Sequence, residues 1–398
     1  RIFEEEAPDD FEYNGMIYFP YGTAEARVEV TKGVGNDPDL LYLGLWGKAV
    51  VVTAVKAARE VGYEGDIMVN EVVFTPPEVE ALGDLAEGVY SSTGWILDSS
   101  IPEAEAFSSA YEAEFGSKPD WWSELGYTAA KQLMAAIEAA GTTDYAAVAP
   151  FMNDELVMTP RGKMLKFNEN GLRLVDDWII IQAVNGELLP VDTAPIAGAK
   201  AAVAAPADAE PVKLGTIWFN SGAAEGLGGV MRNGFDLAVM EQNAAGGVLG
   251  RPVEVIDYDE GYSADEAVAS ARKAIADGVA GVAGGNDATT CVAMKDALEE
   301  DSVPLVVTAC GSELITAEGY EGVVHIRAPV KQTQSDANAL SVLARWMIEK
   351  GYKRVQGVGV DSDWVLLTDS EFTRIFEEEA PDDFEYNGMI YFPYGTAE

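Results

Sequence analysis

VKLGTIWFNSGAAEGLGGVMRNGFDLAVMEQNAAGGVLGRPVEVID, residues 212–257, decides how this chain folds. VKLGTIWF (212–219) is a continuous apolar run of strand length. The turn residues Asn220, Ser221 and Gly222 follow, then a helix through MRNGFDLAVMEQN (231–243). Gly246 and Gly247 close it, because the residue just past a helix end often turns left-handed, which glycine does without strain. VEVID (253–257) is the second strand. Ser263 to Glu266 reads as a capping box, in which serine and glutamate side chains satisfy open backbone N–H groups. It opens the helix EAVASARKAIADG (266–278), and VAGVAG (279–284), PLVVTA (304–309) and VVHIRA (323–328) are further strands. Strands that are apolar throughout and alternate with helices predict a parallel sheet with helices on both faces.

The alternation then restarts. SDANALSVLARWMIEKG (335–351) is a helix, RVQGVGV (354–360) a strand, and a further helix leads to the strand GMIYF (388–392). LLYLGLW (40–46) and DIMVNE (66–71) are strands separated by the helix AVVVTAVKAAREVG (49–62). YTAAKQLMAAIEAAG (127–141) is a long helix, and the stretch from Met164 to Val191 closes as a hairpin turned at Asn185-Gly186. The expected fold class is α/β, with two doubly wound parallel-sheet lobes.

Residues 1–25, RIFEEEAPDDFEYNGMIYFPYGTAE, recur letter for letter as 374–398. Overlaying the copies joins WVLLTDSEFT to ARVEVTKGVG through one copy, as a helix–loop–strand–helix passage. The chain therefore reads as a circle cut open with its cut edge duplicated, a circular permutation. Subtracting the 25 repeated residues from 398 leaves 373, a length typical of two cores rather than one. The Ala/Pro-rich stretch from Pro195 to Pro211 has no amphipathic period and reads as a linker, taken as 193–211. A natural tail joined to a natural leader would look the same.

The chain holds 67 acidic and 26 basic residues, for a net charge of −41. Such a field repels nucleic acid and anionic membranes, and it suits a surface adapted to salt, where screening relieves self-repulsion. No apolar run reaches bilayer length and no signal peptide is visible. Two cysteines, Cys291 and Cys310, are too few for a disulfide scaffold and lack metal-site spacing. Both follow neighbouring strands at one end of the sheet, so a disulfide and a pair of buried thiols both remain open. One histidine, His325, leaves little for histidine-based catalysis or metal binding.

Read from Val212, the order of these stretches resembles the type I periplasmic solute-binding proteins, the group containing the leucine/isoleucine/valine-binding proteins. FNSGAAEGLGGVMRNGFDLAVMEQNAAGGVLGRPVEVIDYD, SADEAVASARKAIADGVAGVAG and PLVVTACGSELITAEGY carry the resemblance, with YLGLWGKAVVVTAVKAAREVGYEGDIMVNE and RGKMLKFNENG. It implies two lobes joined by three crossovers, with a ligand cleft between them. Lobe 1 is expected at 212–328 plus 91–158, and lobe 2 at 329–373 plus 1–90 plus 159–192. Elementary topology points to the same end of each sheet, since ligands of open α/β sheets sit beyond the carboxyl ends of the strands.

The resemblance also implies the site. Ala288, Thr289 and Thr290 open a helix after the third strand, where hydroxyls, free amides and the helix dipole suit a carboxylate. Capping alone would explain the threonines equally simply. Cys310, Gly311 and Ser312 fall where the family has a backbone carbonyl and a second hydroxyl, although alanine is common at the first and threonine at the last. Glu71 matches the acidic residue that takes a ligand ammonium, and Trp46 the aromatic that packs beside it. Trp122 and Trp364 occupy further pocket positions, and Leu227 stands where an aromatic is frequent. For each of these the plain alternative is a core or solvated side chain.

The function implied is an extracytoplasmic solute-binding protein of an ABC transporter. It would bind an amino-acid-like ligand by hinge closure, without catalysis or cofactor, and deliver it to a membrane permease. Its expected location is periplasmic or extracellular. The alternative is a ligand-sensing domain of the same fold. A nucleotide-dependent enzyme is poorly supported, since GLGGVM does not complete G-x-G-x-x-G and neither a P-loop nor a nucleophile elbow occurs. Self-association through the repeat is one of two outcomes open to it, the other being one docked copy and one passive tail.

Overall fold

A computed structural model describes residues 27–45, 48–70, 73–167, 170–173, 179–192, 210–221, 225–261, 263–310, 315, 322–327, 339–361, 363–381 and 384–393. In chain order these form α1 (Arg27–Gly35), β1 (Leu40–Gly44), α2 (Lys48–Glu60), β2 (Asp66–Val69), α3 (Pro76–Leu82) and β3 (Tyr90–Thr93). Next come α4 (Pro102–Phe115), α5 (Trp121–Ala140), α6 (Tyr145–Asp154), β4 (Ile179–Val184), β5 (Glu187–Asp192) and β6 (Val212–Trp218). They are followed by α7 (Glu225–Ala244), β7 (Val253–Asp259), α8 (Ala264–Ala276), β8 (Val282–Gly284), α9 (Ala288–Glu300), β9 (Leu305–Val307) and β10 (Val323–His325). The last are α10 (Ala339–Glu349), β11 (Arg354–Asp361), α11 (Asp363–Glu379) and β12 (Glu385–Pro393).

The chain divides into two compact units. The described residues of 95–177 and 194–329 form one, around a five-stranded sheet in the order β10-β9-β8-β6-β7. All its pairings are parallel. The first strand lies inside the sheet and the connections wind outward both ways, so the switch point falls between β6 and β8. β6 and β8 are buried nearly throughout, as the apolar run at 212–219 predicts. Helices α5 and α7 cross at backbone contact: a Cβ on Gly126 would strike the Met231 carbonyl, and one on Gly234 the Ser123 carbonyl. Only glycine permits so close an approach.

The described residues of 1–94, 178–193 and 330–398 form the other unit, around a seven-stranded sheet ordered β12-β11-β1-β2-β3-β4-β5. Its first five strands are parallel, and β3, β4 and β5 are antiparallel. The β4–β5 hairpin turns at Asn185 and Gly186, both with positive φ (52° and 81°), the conformation an Asn-Gly hairpin turn demands.

Two boundaries differ from the sequence reading. The described residues of 159–177, a stretch expected with 329–373, group with the five-stranded unit instead. Arg173 N donates to the His325 carbonyl at 2.9 Å, His325 N to the Gly171 carbonyl at 2.8 Å, and Arg173 Nη1 to the Ile326 carbonyl at 3.0 Å. This stretch thus adds to the β10 edge, which local periodicity cannot reveal. Residues 91–93, expected in the other lobe, belong to β3 of the seven-stranded sheet. The linker at 193–209 lies outside the described residues, as does the first copy of the repeat; of the second copy, 374–379 fall in α11 and 385–393 in β12.

Candidate functional site

The carboxyl ends of β6 and β8 build the site in the five-stranded unit. After β8 the chain turns at Gly285 (φ 92°), then runs through Asn286 to Asp287, the N-cap of α9. Asp287 Oδ1 accepts from Thr289 N at 2.9 Å and the Asp287 carbonyl from Cys291 N at 2.9 Å. The cap is therefore an aspartate, which sequence reasoning passed over in favour of the threonines; its position just ahead of ATTC is the signal that was available. Asn286 Oδ1 accepts from Phe219 N at 3.3 Å, tying the loop after β6 to the loop after β8 across the switch point.

Beneath this helix end lies Glu260, fully buried just after β7. Asn286 N donates to both its oxygens, at 3.2 and 3.0 Å, and Thr290 Oγ1 donates to Oε1. Burial pushes the Glu260 carboxyl up to about 8, against the lowering effect of Thr290 and of the Asn286 and Asp287 amides. The carboxyl takes up the Asn286 amide and the Thr290 hydroxyl from inside, so those donors do not face the surface. Only Thr289 of the two threonines is exposed, while Thr290 is 3% exposed with its hydroxyl engaged.

Cys310, just past β9, forms a disulfide with Cys291 in the first turn of α9, with Cα atoms 6.6 Å apart. Of the two states left open by the sequence, the bonded one is found. A Cβ on Gly285 would run into both sulfurs, so glycine is required there twice over. The Cys310 carbonyl pairs with His325 Nε2 at 2.8 Å, which places the ring proton on Nε2. Burial drives His325 down to about 3, so the ring is neutral. Arg327 adds a charge-assisted bond to the Ala309 carbonyl and stacks over Trp121, 5.6 Å from the ring centroid.

Trp122 (1% exposed) packs beside Trp121 at 5.3 Å, and Leu227 (2% exposed) is buried near the start of α7. Glu71, Trp46, Gly311 and Ser312 lie outside the described residues, and Trp364 belongs to α11 with its side chain outside the description. Their flanks are held: Asn70 Oδ1 accepts from Leu45 N at 2.8 Å, joining the ends of β1 and β2 just before Trp46 and Glu71. Ala288, Thr289, Thr290 and Cys310 thus lie around the first turn of α9, with Trp122 and Leu227 buried in the same unit.

The family model described as "Periplasmic binding protein" matches residues 9–187 and 211–398. The chain belongs to that family. Among relatives of the family member, the Leu/Ile/Val-binding protein of Escherichia coli (strain K12) is 27% identical over 142 residues, 36% of this chain. That stretch is 37% of the relative, so the chain spans little more than a third of its length. Among solved structures, a leucine-binding protein from Thermotoga maritima is 23% identical, with a TM-score of 0.40, covering 44% of this chain and 50% of that one. A solute-binding protein from R. palustris in complex with 4-hydroxybenzoate has a TM-score of 0.40 at 23% identity, covering 46% and 47%. Among the described residues, no helix is long and apolar enough to cross a membrane, and no group of three or more His, Cys, Asp or Glu side chains is placed to hold a metal.

Proposed function

We propose that this chain is an extracytoplasmic solute-binding protein that passes a small amino-acid-like ligand, chemically unchanged, to the permease of an ABC transporter. One observation carries the reading furthest: the amino end of α9, with Ala288 and exposed Thr289, stands at the carboxyl end of β8 beside the switch point. Ligand carboxylates suit such a place, because open backbone amides and the helix dipole both favour an anion there. In this reading Thr289 and Ser312 supply hydroxyls, Glu71 takes the ammonium, and Trp46 and Trp364 shape the pocket. Thr290 and Cys310 hold the loop through Glu260 and the disulfide, and Trp122 and Leu227 back it from the core. Hinge closure is the proposed binding motion, and the periplasm or cell exterior the proposed location. Family membership and a relative named for leucine, isoleucine and valine support the ligand class.

A thermal-shift screen followed by calorimetric titration tests this, since a ligand that binds only the native state raises the melting temperature by mass action. Leucine, isoleucine, valine, threonine, small amides and 4-hydroxybenzoate form the panel. Saturable stabilisation by an amino acid, with the ligand recovered intact, is expected. A shift from 4-hydroxybenzoate alone would replace the ligand class. Recovery of an altered ligand would overturn the absence of chemistry.

A further inference from the structure

The place occupied by α11 and β12 has two identical claimants in one chain. Residues 374–379 complete α11 and 385–393 form β12, the edge strand paired in parallel with β11 from Arg354↔Glu385 to Asp361↔Pro393. Ile375, Phe376, Tyr386 and Met389 are buried there. The groups that receive them lie outside the repeat. Tyr386 donates to Asp369 Oδ1 at 2.9 Å, and Gln356 Nε2 donates to the Gly388 carbonyl at 3.1 Å. Phe372 meets the rings of Phe376 and Tyr386 at 5.6 and 6.1 Å, and Arg345 pairs with Glu379 at 2.6 Å. In the first copy the same groups are Ile2, Phe3, Glu6, Tyr13 and Met16. A docking face built by residues 345–372 offers both copies the same contacts, side chain for side chain.

We infer that the edge of β11 is a docking site for residues 1–25 of the same molecule, in exchange with residues 374–398. The tethers make the competition intramolecular. The second copy runs on from Thr373 in α11; the first leads through Ala26 into α1, which packs against β11 and α2 in the same unit. A short tether to a neighbouring anchor gives an effective concentration of about millimolar, above that of copies on other molecules at micromolar protein. One strand position admits one occupant, so docking of either copy releases the other. Exchange trades the covalent run from Thr373 to Arg374 for the run from Glu25 to Ala26.

The test uses the full chain with Met389→Asp, Met16→Asp and the two combined. Met389 is 1% exposed, so a carboxylate at that position forbids docking of the copy that carries it. Each single variant should melt within about 2 °C of the parent, and the double variant about 5 °C or more below it. Hydrogen exchange read by mass spectrometry should show protection passing from 374–398 to 1–25 in Met389→Asp, the substitution itself distinguishing the two peptides. A Met389→Asp chain that melts with the double variant, or does not fold, would overturn the exchange. So would a double variant that melts with the parent, or recovery of Met389→Asp only as a concentration-dependent dimer by light scattering.

Discussion

Thr290 donates its hydroxyl to Glu260, a carboxyl with no exposure to solvent, one turn inside the helix whose amino end forms the candidate site. The same carboxyl accepts from Asn286 N, so the loop between β8 and α9 is held from below by one buried acid. That acid links the protonation state of the core to the geometry of the surface above it.

Stability should fall as pH rises from about 4.5 to about 8 because of Glu260. Its folded value is raised to about 8 from 4.5, so the folded state holds the proton more tightly across that window. The contribution is complete below 4.5 and lost as pH passes the folded value, with a limiting slope of about 1.4 kcal/mol per pH unit. His325, lowered to about 3 from 6.5, acts oppositely: its contribution is complete above 6.5 and lost as pH falls toward 3. The two offset each other between 4.5 and 6.5, leaving Glu260 visible above 6.5. Urea unfolding from pH 6 to 9 should show the decline in the parent and a flatter curve in Glu260→Gln. Parallel curves would refute the assignment.

Replacing both Cys291 and Cys310 with alanine should cost about 3 kcal/mol, the loop-closure entropy returned to the unfolded chain for a separation of 19 residues. Peptides of α9 should also exchange amide hydrogens faster. Unchanged exchange there, with unchanged stability, would mean the bond fixes nothing.

Arg161 and Glu124 form a buried pair, with Nη2–Oε2 at 3.0 Å and Nε–Oε1 at 3.3 Å and side chains 8% and 0% exposed. Arg161→Met strands the carboxylate and should cost about 3–5 kcal/mol. The double variant Glu124→Leu/Arg161→Met should recover most of that loss, as judged by urea midpoints. A double variant as unstable as the single would mean the arginine acts by packing rather than by charge.

On the ligand identified by titration, Glu71→Gln should weaken binding about ten- to hundredfold, since a charge-assisted hydrogen bond contributes about 1.5–3 kcal/mol. Thr289→Ala should act mainly on affinity, because that residue is exposed, whereas Thr290→Ala should first lower stability by removing one of the hydrogen bonds that hold buried Glu260. Equal stability losses in the two threonine variants would contradict the division of roles.

Raising sodium chloride from about 0.1 to 1 M shortens the Debye length from about 10 to 3 Å and should raise the melting temperature of a chain with a net charge of −41. An uncharged osmolyte at matched osmolality is the control. A melting temperature independent of salt would mean that the charges are spaced too widely to repel.

Much of this protein is legible without coordinates. Apolar runs such as 212–219 appear as β6, Ser263 caps α8 by accepting from Glu266 N at 3.2 Å, and Asn185-Gly186 turns the β4–β5 hairpin. These features obey local rules, because the period of burial, a cap and a turn each depend on residues a few positions apart. The repeat and the family resemblance are likewise properties of residue order. Tertiary structure alone decided what depends on distant partners. It paired Cys291 with Cys310, turned Thr290 inward onto Glu260 thirty residues away, and set Arg173 beside His325 across a separation no local period encodes. Local spacing could nominate Thr289 and Thr290 alike. Burial separated them, because the buried acid beneath α9 must be hydrogen-bonded once water is excluded.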